Sequence, residues 1–226
     1  MSPRPSLKRL VDRLLAAYGP PELPPPTDPF GLILWEQVGY LADDERRGSA
    51  FEQLRERVGL TPEAILAASF DTLEEVAGAG GSVAVSERAE RMRWSAQTVV
   101  DEWGGDLSRA LQQTPAEATR ALKRFPMIGE PGADKILMLT RTHAVLALDS
   151  NGLRVLLRLG YGEEGKSYGA TYRLVREALI PECREDLDWL ARTYGLLRLH
   201  GQRTCRRSAP RCGECSLAED CPSARS

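Results

Sequence analysis

Four cysteines near the end of the chain constrain its fold more than any other feature of the sequence. They follow the spacing C-x6-C-x2-C-x5-C and are Cys205, Cys212, Cys215 and Cys221. Thiolates this close together, in a loop that also holds glycine and proline, can converge on one soft metal centre. The spacing therefore predicts a metal-binding loop over residues 205–221.

Three kinds of cysteine chemistry are open for this loop: a four-thiolate iron–sulfur cluster, a structural zinc ion and two disulfides. Zinc sites usually combine two C-x2-C pairs with a longer spacer between them, and this loop has one such pair. Disulfides need an oxidising compartment, and the N-terminus shows no signal peptide. We therefore favour the iron–sulfur cluster and keep zinc and disulfides as alternatives.

The length and the net charge of the chain restrict its domain organisation and its function only loosely. A chain of 226 residues suits one large domain or two small ones. No apolar run reaches the length of a membrane span, so we expect a soluble, cytoplasmic protein. The net charge of −2 does not indicate nucleic-acid binding, but a local basic surface can bind nucleic acid even when the whole chain is slightly acidic. Arginines accompany the cysteine loop and can contact phosphates, with a solvated charged loop as the alternative.

The pattern of apolar residues is helical nearly throughout. Residues 6–18 read as an amphipathic helix, and residues 71–74 and 114–117 match capping boxes. The proline-rich stretch 20–29 predicts a stiff connector. Strand signals are scarce, so the pattern predicts an all-α protein.

Residues 122–139 predict two short helices joined by a glycine turn. The first helix ends near Arg124 and the second begins near Pro131. Such a turn presents backbone N–H groups to a phosphate at the start of the second helix, and a plain helical hairpin is the alternative. The candidate DNA-binding residues here are Met127, Ile128, Gly129, Gly132 and Lys135.

The cysteine loop and the hairpin resemble the endonuclease III and MutY group of helix-hairpin-helix DNA glycosylases. His200-Gly201 stands where that group has a His-Gly lead-in to the first cysteine. The usual turn of the group is Leu-Pro-Gly-Val-Gly, and here it is Phe125-Pro126-Met127-Ile128-Gly129, in which Met127 replaces the first glycine. The resemblance implies a [4Fe-4S] cluster on the four cysteines and double-stranded DNA with a damaged or mispaired base as the partner. We expect a monomer.

One departure from the group concerns strand cleavage. Bifunctional members carry a lysine two residues after the second glycine of the turn, and its amine attacks the sugar. The matching residue is Pro131, which has no nucleophile. Lys135 lies about one helical turn further along, and we interpret it as a surface or phosphate-binding lysine. The resemblance therefore implies a monofunctional enzyme.

Asp149 is the first candidate catalytic residue. The segment Leu148-Asp149-Ser150-Asn151 is similar to the Leu-Asp-Gly-Asn motif of MutY, in which the family places its catalytic aspartate. Cleavage of an N-glycosidic bond builds positive charge on the deoxyribose, and a carboxylate at a helix N-terminus can stabilise that charge. A plain helix-capping aspartate is the alternative.

Glu36 is the second candidate. It lies in an apolar helix that begins at Pro29, where desolvation disfavours a charged carboxylate and can poise it as a general acid. Counted from Pro29, it stands where MutY and the thymine–guanine mismatch glycosylases place a glutamate. The resemblance implies that it protonates the departing base or orients water, with a solvent-facing glutamate as the alternative.

Taken together, these features predict an all-α protein with two helical domains flanking a DNA-binding cleft. Residues 29–146 are expected to form a six-helix barrel domain with the hairpin, and 1–28 plus 147–226 an iron–sulfur cluster domain. The predicted reaction is hydrolysis of the bond between a damaged or mispaired base and its sugar. The alternatives are an endonuclease III-like glycosylase with lyase activity and a non-catalytic iron–sulfur DNA-binding protein.

Overall fold

Helices are the regular secondary structure of the part that the computed structural model describes, which is residues 4–24, 28–40 and 42–224. No strand occurs in these ranges, and the predicted all-α class is confirmed. The middle of the proline-rich connector, 25–27, lies outside them. The helices are α1 Leu7–Tyr18, α2 Pro29–Val38, α3 Asp44–Arg57, α4 Pro62–Ala67, α5 Phe70–Ala79, α6 Val85–Trp103, α7 Ser108–Leu111, α8 Pro115–Leu122, α9 Glu130–Leu139, α10 Ser150–Arg158, α11 Tyr168–Leu179 and α12 Leu187–Arg203.

Local capping signals explain several helix starts. Ser6 caps α1, because its side chain accepts a hydrogen bond from the backbone N–H of Arg9. The predicted capping box of α8 is confirmed, with Thr114 and Glu117 bonded reciprocally. The predicted box that starts at residue 71 is wrong. Ser69 caps α5, so Asp71 lies in the first turn of that helix.

The chain divides into two compact units. The first consists of Met1–Pro25 and His143–Ser226, and the second is Pro26–Thr142. The first unit therefore holds α1 and α10 to α12 with the cysteine loop, and the second holds α2 to α9. No helix in the described part of the chain is long and apolar enough to cross a membrane.

In the first unit, α12 packs against both α1 and α10. Gly201 lets α12 approach α10 closely, because a Cβ at this position would lie 2.7 Å from the backbone oxygen of Asn151. After α12 the chain forms the cysteine loop, whose short 3₁₀ turns are Cys212–Glu214, Ala218–Asp220 and Pro222–Ala224. Arg13 of α1 donates to Asp220 at 2.7 Å and so ties α1 to this loop.

In the second unit, α2, α4 and α5 pack against the long helix α6. Arg88 of α6 is fully buried and donates to the backbone oxygen of Val38 at 2.7 Å and to that of Gly81. Desolvation lowers the pKa of Arg88, but its bonds to these carbonyls satisfy the buried group. They also fix the C-terminal end of α2, the helix that carries Glu36.

Candidate active site and metal-binding loop

Asp149 is the N-cap of α10. Its Oδ1 accepts a hydrogen bond from the backbone N–H of Gly152 at 2.7 Å, and its Oδ2 accepts one from Nδ2 of Asn151 at 3.1 Å. The side chain is 22% exposed. The carboxylate thus lies at the positive end of the helix dipole, fixed in orientation and still partly accessible.

An arginine that the sequence did not single out contacts this carboxylate. Arg198 of α12 places its Nε 3.2 Å from Oδ2 of Asp149, and its side chain is 25% exposed. No motif marks Arg198, because the contact arises only from the packing of α12 against α10. The ion pair compensates part of the negative charge of Asp149.

Arg154 connects Asp149 to the cysteine loop. Its Nε donates to the backbone oxygen of Cys205 at 2.9 Å, and its Nη2 donates to the backbone oxygen of Gly201 at 2.8 Å. The same Nη2 donates to Oδ1 of Asn151 at 2.9 Å. Since Asn151 also binds Asp149, a continuous hydrogen-bond path runs from the backbone of the loop to the carboxylate.

The four cysteines of the loop line one cavity of about 180 Å³. All of their thiols are free and half-buried, so the structure contains neither of the two disulfides that the sequence left open. Within the described ranges, no group of three or more His, Cys, Asp or Glu residues is placed to hold a single metal ion.

Hydrogen-bond donors point at the sulfur atoms. Nη1 of Arg158, in the last turn of α10, donates to Sγ of Cys205 at 3.3 Å, and the backbone N–H of Leu217 donates to Sγ of Cys215 at 3.4 Å. Burial raises the pKa of both the Cys215 and the Cys221 thiol. Donors of this kind orient metal-ligating thiolates and tune a bound centre.

His200 lies beside the cavity and is 1% exposed. Its Nδ1 is 2.8 Å from the hydroxyl of Tyr18, and its Nε2 is 3.6 Å from Sγ of Cys215. Burial lowers the pKa of His200 to about 4. The imidazole is therefore neutral at physiological pH.

The hairpin turn lies between α8 and α9 in the second unit. Phe125 and Ile128 are buried and anchor it, whereas Met127 is 38% exposed. The φ of Met127 is +69°, in the left-handed region that glycine favours. The backbone of the turn thus has a conformation typical of glycine, and the methionine side chain is exposed on the surface of the turn.

The start of α9 carries the remaining hairpin candidates. Gly129 is the N-cap of α9, with no side-chain cap. A Cβ at Gly132 would make ordinary contact with Ile128 at 3.5 Å, so sterics do not require a glycine there. Pro131 lies in the first turn and contributes no N–H.

Glu36 and Lys135 form one ion pair, which joins α2 to α9. Their side chains are 19% and 13% exposed. The sequence treated the two residues as separate candidates, whereas the structure makes each the partner of the other. Glu36 belongs to the second unit and Asp149 to the first, and their joint action on one base stays a prediction.

The sequence of the chain is similar to those of several known proteins. The chain matches no protein-family model. It is 27% identical over 89% of its length to endonuclease III homolog 2, chloroplastic, of Arabidopsis thaliana, and 25% identical over 85% to endonuclease III of Haemophilus influenzae. It spans 50% of the Arabidopsis protein and 83% of the Haemophilus protein.

Solved structures share the fold. An endonuclease III trapped as a covalent intermediate with DNA superposes with a TM-score of 0.78 over 98% of both chains, at 16% identity. A thermostable thymine-DNA glycosylase superposes with a TM-score of 0.74 over 97% of this chain and 96% of its own, also at 16% identity. The chain is therefore similar in sequence to endonuclease III proteins and shares the fold of these solved structures.

Among the residues by which the hairpin departs from the usual pattern of the endonuclease III and MutY group, two concern the backbone of the turn and the strand-cleaving lysine. Met127 occupies the place of the first turn glycine, and Pro131 occupies the place of the lysine of bifunctional members. At the first of these positions the backbone has a φ of +69°, in the left-handed region that glycine favours. The departure at the second position removes an amine that no other residue of the turn replaces.

Proposed function

We propose that this chain is a DNA glycosylase that hydrolyses the N-glycosidic bond of a damaged or mispaired base in double-stranded DNA. The carboxylate of Asp149, fixed at the start of α10 by Gly152 and Asn151, carries the proposal. Bond cleavage develops positive charge on the deoxyribose, and a preorganised carboxylate stabilises it. The names of the relatives support a DNA substrate, and such a substrate agrees with the predicted cytoplasmic location.

The other candidate residues have separate roles in this proposal. The target base leaves the stack and enters the enzyme, while backbone N–H groups at the start of α9 bind a phosphate. The electron pair of the cleaved bond goes to the base, and water adds to the sugar carbon. Glu36, oriented by Lys135, protonates the base or orients that water.

We further propose that the enzyme is monofunctional. Pro131 has no amine, and Lys135 is engaged by Glu36, so a Schiff base with the sugar lacks its nucleophile. Borohydride reduction during reaction with lesion-containing duplex tests this. We expect no covalent adduct; a strong adduct that disappears on Lys135→Ala would establish the lyase alternative.

The cysteine loop suits a [4Fe-4S] cluster. A single zinc ion needs sulfur atoms about 2.3 Å from one point, whereas a cluster offers each thiolate its own iron and needs a space between the thiolates. The cavity of about 180 Å³ lined by all four cysteines has that form. When bound, such a cluster cross-links the loop and supplies a one-electron redox centre. Brown protein with visible absorption and four irons per chain is expected; stoichiometric zinc would contradict the proposal.

A non-catalytic DNA-binding protein is the second candidate. It is favoured by the ion pair of Arg198 with Asp149, which compensates part of the charge of the carboxylate. The decisive experiment is a screen of purified protein against duplexes that each carry one damaged or mispaired base, followed by mild alkali to reveal abasic sites. We expect alkali-dependent cleavage of at least one duplex. Tight binding without base release across the whole panel would favour the second candidate.

A further inference from the structure

The carboxylate of Asp149 does not depend on Arg198 for its orientation. The backbone N–H of Gly152 donates to Oδ1 at 2.7 Å, and Nδ2 of Asn151 donates to Oδ2 at 3.1 Å. Both donors belong to α10 itself, whereas Arg198 reaches Oδ2 from α12, with its Nε at 3.2 Å. The arginine therefore adds charge compensation to a carboxylate that its own helix already holds in place.

This charge compensation opposes the proposed chemistry. Asp149 acts there by stabilising positive charge on the deoxyribose. A guanidinium 3.2 Å from the same carboxylate repels that positive charge and weakens the attraction between carboxylate and sugar. Base release is therefore favoured when Arg198 has left Asp149 for another anion.

The exposure of the ion pair allows such an exchange. The side chains of Arg198 and Asp149 are 25% and 22% exposed, so a ligand can reach both. Ion pairs that water still reaches contribute little to stability. Separation of this pair therefore costs little, provided that Arg198 finds a new partner.

DNA brings such a partner together with the sugar. Every deoxyribose within a strand has a phosphate on either side, so a target sugar at Asp149 carries two phosphates close to Arg198. The planar guanidinium binds phosphate oxygens through two parallel N–H groups, in a strong, charge-assisted contact. A flanking phosphate is thus the anion that can replace the carboxylate.

We propose that Arg198 is a DNA-binding residue that exchanges partners: it pairs with Asp149 in the free protein and with a phosphate that flanks the target nucleotide in the complex. The inference rests on the proposed function, because it needs the target sugar to lie at Asp149. It does not depend on which base is excised. In this way the full charge of the carboxylate becomes available to the sugar when DNA is bound.

The test measures how the affinity for DNA depends on salt, because each phosphate contact adds to that dependence. The full-length protein is titrated with a duplex that carries one tetrahydrofuran residue, a sugar without a base, and with a fully paired duplex of the same sequence. Arg198→Met removes the charge and keeps an apolar stem of similar length. Arg198→Lys keeps the charge.

Arg192→Met is the matched control. Arg192 is an exposed arginine of the same helix, and its position six residues before Arg198 puts it on a different face. The control therefore changes the net charge by the same amount, away from Asp149. Circular dichroism confirms that each variant is folded, and Arg198→Gln replaces Arg198→Met if the latter does not fold.

On the tetrahydrofuran duplex, we expect Arg198→Met to make the slope of log K against log salt less steep by about 0.9, the value for one phosphate contact. Over a fourfold rise in salt, the wild type should then lose about 3.5 times more affinity than the variant. Arg198→Lys and Arg192→Met should keep the wild-type slope. On the fully paired duplex, which presents no unpaired sugar to Asp149, Arg198→Met should also keep it.

An unchanged slope for Arg198→Met on the tetrahydrofuran duplex would overturn the exchange. An equal decrease in Arg192→Met, or on the fully paired duplex, would also overturn it, because the effect would then come from net charge alone. Wild-type protein that binds both duplexes equally would overturn the placement of the sugar at Asp149 together with this inference. The expected slopes without base release from any lesion would support the inference and reject the glycosylase alone.

Discussion

Met127 shows what a single substitution in the hairpin motif changes in the structure. Met127 stands where the usual turn of the resembling group has its first glycine. In the structure the backbone keeps a φ of +69°, and the side chain is 38% exposed. A left-handed conformation costs an L-residue about 1–2 kcal/mol, so the hairpin retains its turn at some expense of stability.

Met127→Gly should therefore stabilise the protein. The change removes the left-handed strain and adds conformational entropy to the unfolded chain, and we expect a net gain of about 0.5–1 kcal/mol in the free energy of unfolding. Denaturant unfolding measures it. Met127→Ala is the control, because alanine keeps the strain; a Met127→Gly protein no more stable than Met127→Ala would contradict the backbone assignment.

At the same scale, the residues found from the sequence are those that a local motif marks. Asp149 and the four cysteines were recognisable from their immediate neighbours in the chain. Arg198 and Arg154 were not, because the contact of Arg198 with Asp149 and that of Arg154 with the backbone of Cys205 form only when distant parts of the chain pack together. Sequence spacing carries no signal for such contacts.

Among the elements, α10 joins the two candidate sites of the first unit. Its N-cap is Asp149, and its last turn holds Arg158, which donates to Sγ of Cys205. Its neighbour α12 approaches closely at Gly201, where a Cβ would lie 2.7 Å from the backbone oxygen of Asn151. Displacement of α12 at this point would disturb both the carboxylate and the loop.

Gly201→Ala tests that approach. In a helix this change is ordinarily favourable, but here the added methyl group meets backbone, so we expect a loss of about 1–3 kcal/mol in the free energy of unfolding. Gly213→Ala is the control, because a Cβ there meets no heavy atom within 4 Å. Chemical denaturation of both variants provides the comparison, and equal stabilities would refute the close contact.

At the scale of the whole molecule, the helical class and most helix positions were readable because caps and apolar periodicity are local signals. The resemblance to endonuclease III proteins was readable from the hairpin and the cysteine loop. The side-chain contacts within each unit could not be predicted from the sequence, as the ion pair of Glu36 with Lys135 shows. That contact joins residues far apart in the chain, and neither residue's neighbours reveal it.

Removal of the proposed iron–sulfur cluster should affect the two units differently. Oxidation and chelation release the four thiolates, and the cysteine loop then loses its cross-links. Arg154 and Arg158 donate to backbone carbonyl groups of this loop, so these hydrogen bonds should weaken. We expect amide hydrogen exchange measured by mass spectrometry to become faster in α10 and α12 of the first unit and to stay unchanged in α6 of the second. Unchanged protection of α10 would contradict a structural role for the metal.

The most direct test of the account is base release by Asp149→Asn. Asparagine is nearly isosteric and also caps helices well, so the variant should fold and bind lesion-containing duplex as the wild type does. Under single-turnover conditions we expect base release to fall by a factor of about 10²–10³, because the neutral amide no longer stabilises the sugar cation. Release at the wild-type rate with unchanged affinity for DNA would contradict the assignment of Asp149 and the hydrolytic mechanism built on it.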